Sequence, residues 1–126
     1  MGKFSKILVP VDGSVSGCKA VDQAIALAKK CGADLDFVYV ASGINKDIPG
    51  EIVFDRIKEK IPPELKVQKH VEEGNISRAI LKTAEACGSD LIIMGSRGLG
   101  LFKSALLGSV SQKVVEESPI PVMVIK

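Results

Sequence analysis

The chain has no tryptophan, one tyrosine and four phenylalanines, so aromatics make up 4% of its 126 residues. Few rings are therefore on hand for stacking bases, which argues against a single-stranded nucleic-acid platform. Charge of one sign is also lacking. A formal net charge of +2 at pH 7 is too small to draw the chain to nucleic acid or to an anionic bilayer. With a single histidine, a histidine-rich metal site is excluded, and no Ser/His/Asp set for nucleophilic catalysis can be assembled. That histidine, His70, falls at a polar-facing strand position and is read as solvated. The three cysteines, Cys18, Cys31 and Cys87, form no C-x-x-C pair. They are read as buried free thiols in a reducing compartment, the cytoplasm. No apolar run approaches the ~20 residues of a membrane span, and the opening residues lead into a strand without a signal-peptide core.

What is present has the composition of a globular domain. With 46% hydrophobic and 25% charged residues, a chain of this length can bury one core without disulfides. A single domain over residues 1–126 is expected. Ile7-Leu8-Val9-Pro10-Val11 reads as a first strand, broken by the turn residues Asp12-Gly13-Ser14. Ala20, Val21, Ala24, Leu27, Ala28 and Cys31 recur at helical spacing, and Gly32 stops that helix. A second strand covers 35–41. Ile52, Val53, Ile57 and Ile61 predict a short helix ended by Pro62-Pro63.

Leu65, Val67 and Val71 alternate with polar residues as in a half-exposed third strand. Asn75 is a good N-cap for a helix whose stripe is Ile76, Ala79, Ile80, Ala84 and Cys87, closed by Gly88. Residues 91–95 form a fourth strand, Ser109-Val110-Ser111-Gln112 has the form of a capping box, and 121–125 form the last strand. One connection is used twice: Ala28 to Leu35 and Ala84 to Leu91 share a helix end, a glycine stop and a strand start. Apolar strands alternating with helices predict an α/β fold in three layers. The sheet is an open, doubly wound parallel one of five strands in the order 3-2-1-4-5.

The chemistry concentrates in one stretch. Gly95-Ser96-Arg97-Gly98 leaves the fourth strand, and Gly108-Ser109 follows after nine residues at the start of a helix. Glycines let main-chain N–H groups approach a ligand, and a helix start adds unpaired donors and partial positive charge. Together they describe a phosphate cradle. It is neither a Walker A loop nor a dinucleotide fingerprint. In the expected sheet the switch point lies between the first and fourth strands, so Asp12 and Gly95 face one crevice. Ser109 either caps its own helix or places its hydroxyl on a phosphate oxygen; the amides of Val110 and Ser111 add donors. Arg97 and Lys103 are either solvated or in contact with phosphate. Asp12 either forms a turn or faces ribose or adenine, with a share in holding Mg²⁺. No residue stands out as a base to activate water.

These residues resemble the universal stress protein family. The resemblance rests on the opening run Ile7 to Ser14 and on the pattern G-x2-G-x9-G-[ST] at Gly95, Gly98, Gly108 and Ser109. It implies the Rossmann-like fold argued above and membership of the branch that binds ATP. By that resemblance Pro10 and Asp12 border the adenosine, with Val11 between them, and Val40 meets the adenine through its backbone. Met94, in the fourth strand, precedes Gly95, which with Ser96, Arg97 and Gly98 holds ribose and phosphates, and Gly108, Ser109, Val110 and Ser111 hold the phosphates. The implied ligand is ATP, or AMP or ADP, with Mg²⁺. The implied assembly is a homodimer through the terminal strand 121–126, and no nucleic acid or membrane partner is expected. The section between Ala41 and Leu65 is short for the family. The expected function is a nucleotide-dependent regulatory switch in stress response. The competing functions are a slow ATPase or ATP-dependent transferase, and a nucleotide-free structural dimer. A response-regulator receiver domain shares the topology but needs an acidic pair where Asp12 stands alone.

Overall fold

Four short apolar runs and one alternating run become five parallel strands in a computed structural model that describes residues 4–13, 15–41, 49–96 and 108–126. Their order is β3-β2-β1-β4-β5, as the alternation of strands and helices predicts. The elements are β1 (Lys6–Pro10), α1 (Val15–Cys31), β2 (Asp34–Ala41), α2 (Gly50–Lys58), β3 (Val67–Glu73), α3 (Ile76–Cys87), β4 (Leu91–Gly95), α4 (Ser109–Glu117) and β5 (Val122–Ile125). Right-handed crossovers wind leftward from β1 through α1 and α2, then rightward through α3 and α4. Each helix pair therefore covers one face.

The central strands are buried on both sides because both faces carry helices. Ile7, Val9, Leu35, Phe37 and Ile93 face α1 and α2, while Leu8, Val38, Ile92 and Met94 face α3 and α4. The α2 stripe differs from expectation. Phe54 joins Val53 and Ile57 in the core, and Ile52 is left 44% exposed, because the helix phase turns one residue further round. The third strand begins at Val67, so Leu65 lies outside it, and as an edge strand it stays mostly exposed.

The duplicated connection has one physical solution. Gly32 and Gly88 both take left-handed backbone angles, φ +69° and +66°. Behind them Ala33 N–H donates to Ala28 O at 3.0 Å and Ser89 N–H to Ala84 O at 2.9 Å, the six-to-one bond of a Schellman cap. Both chains then return to the start of β1, where Asp34 N–H meets Ser5 O and Asp90 N–H meets Lys6 O, each at 2.9 Å. Asp90 also accepts the Ser5 and Lys6 amides through its carboxylate, at 2.8 and 3.2 Å.

Candidate functional site

The expected crevice lies where winding reverses. β1 pairs with β2 as far as Pro10↔Val38, but with β4 its pairs are Ile7↔Leu91 and Leu8↔Ile92. Carried forward, that register brings Pro10 level with Met94 and Asp12 level with Ser96. Val11 is buried and its N–H donates to Val38 O at 2.9 Å, which fixes the path of the chain as it leaves the sheet. Asp12 follows half-buried, and Gly13 turns the chain at φ +85°. Val40 is buried near the end of β2.

Across the crevice, β4 delivers Met94, Gly95 and Ser96. Ser96 is buried, and its N–H donates to Ile125 O at 2.7 Å. The chain returns at Gly108, whose N–H donates to Ser96 O at 2.6 Å. Gly108, not Ser109, is the N-cap of α4. It sits at φ −70°, ψ 168°, and among the described residues no side chain caps the helix. The expected capping box is therefore not formed. Gly108 O accepts the Gln112 amide at 2.9 Å, and Ser109 becomes the first helical residue, exposed to solvent. The main-chain donors of the first turn, those of Ser109, Val110 and Ser111, are the groups a helix leaves unpaired internally.

Ser111 holds this arrangement together in a way that its place in a motif did not reveal. Its side chain is buried, and its hydroxyl lies 2.8 Å from Gly95 O and 3.0 Å from Ser96 O. One proton is shared between the two carbonyls, so the hydroxyl fastens the start of α4 to the end of β4. The fastening takes up the Ser111 hydroxyl and leaves its amide in the first turn of α4. Arg97, Gly98, Gly100 and Lys103 lie outside the described residues, as does Ser14.

Tyr39 borders the same end of the sheet. It is buried beneath α2, where a Cβ added to Gly50 would come within 2.7 Å of its ring. Burial first, and the Asp12 carboxylate second, push its phenol above the ordinary 10.0. The folded state thus holds the phenol proton more tightly than the unfolded chain. The stability this contributes is complete below the ordinary value and is lost as pH rises through the folded one. Because the chain has one tyrosine, tyrosinate absorbance reads this group alone. Its midpoint is expected above 10.0, moving part of the way back in Asp12→Asn. A wild-type midpoint at the ordinary value would contradict the placement.

Two expectations about side chains are corrected. His70 is not solvated. It is 25% exposed, and its Nε2 lies 3.0 Å from Asp36 Oδ1. The cysteines are not buried as a class: Cys18 is exposed, and Cys31 and Cys87 are intermediate. Cys87 Sγ lies 3.5 Å from the same His70 nitrogen. Burial, then the Asp36 charge, push this thiol up, so it is not an activated nucleophile. Asp36 itself was missed. The available signal was a lone carboxylate inside the apolar strand Leu35-Asp36-Phe37-Val38, which requires partners if buried.

A groove of about 740 Å³ runs elsewhere, between α3 and the end of α4. Arg78, Lys82 and Lys113 face it together with Glu85 and Glu117, a mixture that selects no ligand of one charge. Among the described residues, no helix is long and apolar enough to cross a membrane.

The fold, the reversal point and the bare α4 start can be set beside known proteins. The model of the universal stress protein family matches residues 3–56 and 51–126. This chain belongs to the universal stress protein family. The two family matches overlap inside α2, within the section that is expected to be short. The universal stress protein YxiE of Bacillus subtilis is 33% identical over 147 residues, covering 98% of this chain and 99% of its own length. Among solved structures, universal stress protein UspA from Lactobacillus plantarum shares the fold with a TM-score of 0.82 at 22% identity, over 100% of both chains. A universal stress protein solved in complex with cAMP has a TM-score of 0.77 at 26% identity, over 98% of both chains.

Proposed function

We propose that this universal stress protein is a single nucleotide-binding domain that takes an adenine nucleotide, ATP foremost, between the ends of β1 and β4. In this reading it acts in the cytoplasm as a nucleotide-dependent regulatory switch, with at most slow hydrolysis. The observation that carries the reading is the start of α4. A helix N-terminus whose N-cap is Gly108, a residue without a capping side chain, is fastened by Ser111 to the last carbonyls of β4. Main-chain donors held in a fixed place and free of side chains suit a polyphosphate. The relative solved with cAMP supports an adenine nucleotide as the ligand class.

Within that site Pro10, Val11, Asp12 and Val40 border the nucleoside, Asp12 also helping to hold Mg²⁺. Gly95 to Gly98 and Gly108 to Ser111 hold ribose and phosphates, with Met94 behind them. The test is direct. The purified protein, denatured and analysed by mass spectrometry, is expected to release an adenine nucleotide, or, if purified empty, to bind ATP in calorimetric titration. In Gly98→Val that binding is expected to fall at least tenfold, the loss of about one charge-assisted hydrogen bond. A wild-type chain that neither releases nor binds a nucleotide refutes the reading.

The same proposal includes a homodimer through residues 121–126. β5 is an edge strand, and none of its residues is buried; Met123 is 38% exposed. An apolar edge of this kind favours pairing with a second copy. Sedimentation at micromolar concentration is expected to give a dimer, shifting to monomer in Val124→Lys.

A further inference from the structure

The end of the sheet away from the nucleotide crevice carries a second polar centre. Asp36, near the start of β2, is 1% exposed and is the one buried charged side chain among the described residues. Three elements converge on it. Its Oδ1 lies 3.0 Å from His70 Nε2 on β3. Its Oδ2 lies 3.1 Å from Lys6 Nζ on β1, outside hydrogen-bond geometry. Cys87, the last residue of α3, places Sγ 3.5 Å from the same His70 nitrogen. The carboxylate oxygen, the imidazole nitrogen and the thiol sulfur all lie within 4.8 Å of one another.

One ring nitrogen cannot serve both neighbours with a proton. Protonated, Nε2 donates to one acceptor; unprotonated, it accepts from one donor. A cation at the centre of the three serves all of them. The spacing suits such an ion. Tetrahedral bonds of about 2.0–2.3 Å place ligand atoms about 3.3–3.6 Å apart. The N···S separation of 3.5 Å already has that value, the N···O separation of 3.0 Å needs to open by a few tenths of an ångström, and the third pair, O···S, which lies within 4.8 Å, needs the thiol to turn inward.

We propose that Asp36, His70 and Cys87 form a binding site for a zinc-class divalent cation. One imidazole, one thiolate and one carboxylate make a donor set of borderline softness, suited to Zn²⁺, Co²⁺ or Ni²⁺ and unsuited to Mg²⁺ or Ca²⁺. The fourth position is left for water on the side where His70 is 25% exposed, which is also the entry path. On binding, the Cys87 thiol proton leaves to solvent and the His70 lone pair turns to the metal. Lys6 stays on the second oxygen of Asp36 and, being itself a cation, weakens the site. The ion ties β2, the edge strand β3 and the end of α3 together. Asp36 is level with Leu8, four positions before Asp12, and His70 is on the edge strand β3, so none of the three ligands is among the residues proposed for the nucleotide and the two sites are tested separately.

The test titrates the metal-free full-length chain with Co²⁺. A thiolate-to-cobalt charge-transfer band is expected to rise, saturate and be abolished by Zn²⁺. It is expected to persist in Cys18→Ser and Cys31→Ser and to vanish in Cys87→Ser, whose fold is checked by circular dichroism. Lys6→Met, which removes the competing ammonium, is expected to bind Co²⁺ at least tenfold more tightly. Zn²⁺ is expected to raise the melting temperature of the wild type and not of His70→Gln. No band in the wild type, or a band that survives Cys87→Ser, overturns the site; unchanged or weaker binding in Lys6→Met overturns the place of Asp36 in it.

Discussion

Gly108→Asp is expected to leave the folded chain as stable as the wild type, or slightly more so, while lowering its affinity for ATP at least a hundredfold. Gly108 caps α4 at φ −70°, ψ 168°, an extended conformation that any L residue adopts without strain. Aspartate is among the best N-caps and improves on glycine by a few tenths of a kcal/mol. Its carboxylate also complements the helix dipole. Those same gains close the site. In the proposed site the carboxylate takes the amide at Val110 or Ser111 that a phosphate oxygen would use, and it sets a negative charge where the proposal puts the polyphosphate. Each lost bond to a charged group costs about 1.5–3 kcal/mol, and about 2.8 kcal/mol is a hundredfold in affinity. Thermal melts and calorimetric titration read the two effects separately. Gly108→Ala distinguishes charge from bulk: it adds a Cβ and no capping group, so near-normal affinity there assigns the loss to the carboxylate. Unchanged affinity in Gly108→Asp would remove the α4 start from the site.

The parts legible in the sequence are those set by local pattern. Five strand-like runs, four apolar and one alternating, separated by amphipathic helices admit few topologies. The twin caps at Gly32 and Gly88 could be seen because a left-handed stop has few residue solutions. The placement of Gly95 at a strand end and of Gly108 at a helix start was legible too. The parts that were not legible depend on contacts distant in sequence. Ser109-Val110-Ser111-Gln112 reads as a capping box, but Gly108 N–H is drawn onto Ser96 O, and the helix starts one residue earlier in register. His70 reads as solvated because its partner Asp36 lies 34 residues away on the neighbouring strand. No periodicity announces such a pair, although a carboxylate inside an apolar run already requires one. The α2 stripe was misphased between Ile52 and Phe54 because nine residues give little over two turns from which to read a phase.

The two ends of the sheet are built on different terms. At the carboxyl end, the first turn of α4 leaves main-chain donors without partners inside the helix, which costs little while water can reach them. At the amino end, a buried carboxylate is surrounded by an ammonium, an imidazole and a thiol, each half-open to solvent. Burying Asp36 costs several kcal/mol unless it is paired, so these partners are the condition for the strand Asp34–Ala41 to sit inside the sheet at all.

Ser111→Ala tests the fastening that the site depends on, and its signature differs from that of Gly108→Asp because stability and affinity should fall together. The hydroxyl is buried and donates toward Gly95 O and Ser96 O at 2.8 and 3.0 Å. Ser96 O keeps the Gly108 amide at 2.6 Å, so the uncompensated loss falls mainly on Gly95 O, with the deleted oxygen leaving a small void. Losing a donor to a buried carbonyl costs about 1–3 kcal/mol, readable as a lower denaturation midpoint with an unchanged denaturant slope. The start of α4 is then held to β4 by the Gly108–Ser96 bond and by packing of Val114 in the core. Its amides no longer keep a fixed distance from Gly95, and ATP binding is expected to weaken tenfold or more. A variant that loses the stability but binds ATP as the wild type does would show that Ser111 supports the fold and does not set the geometry of the cradle.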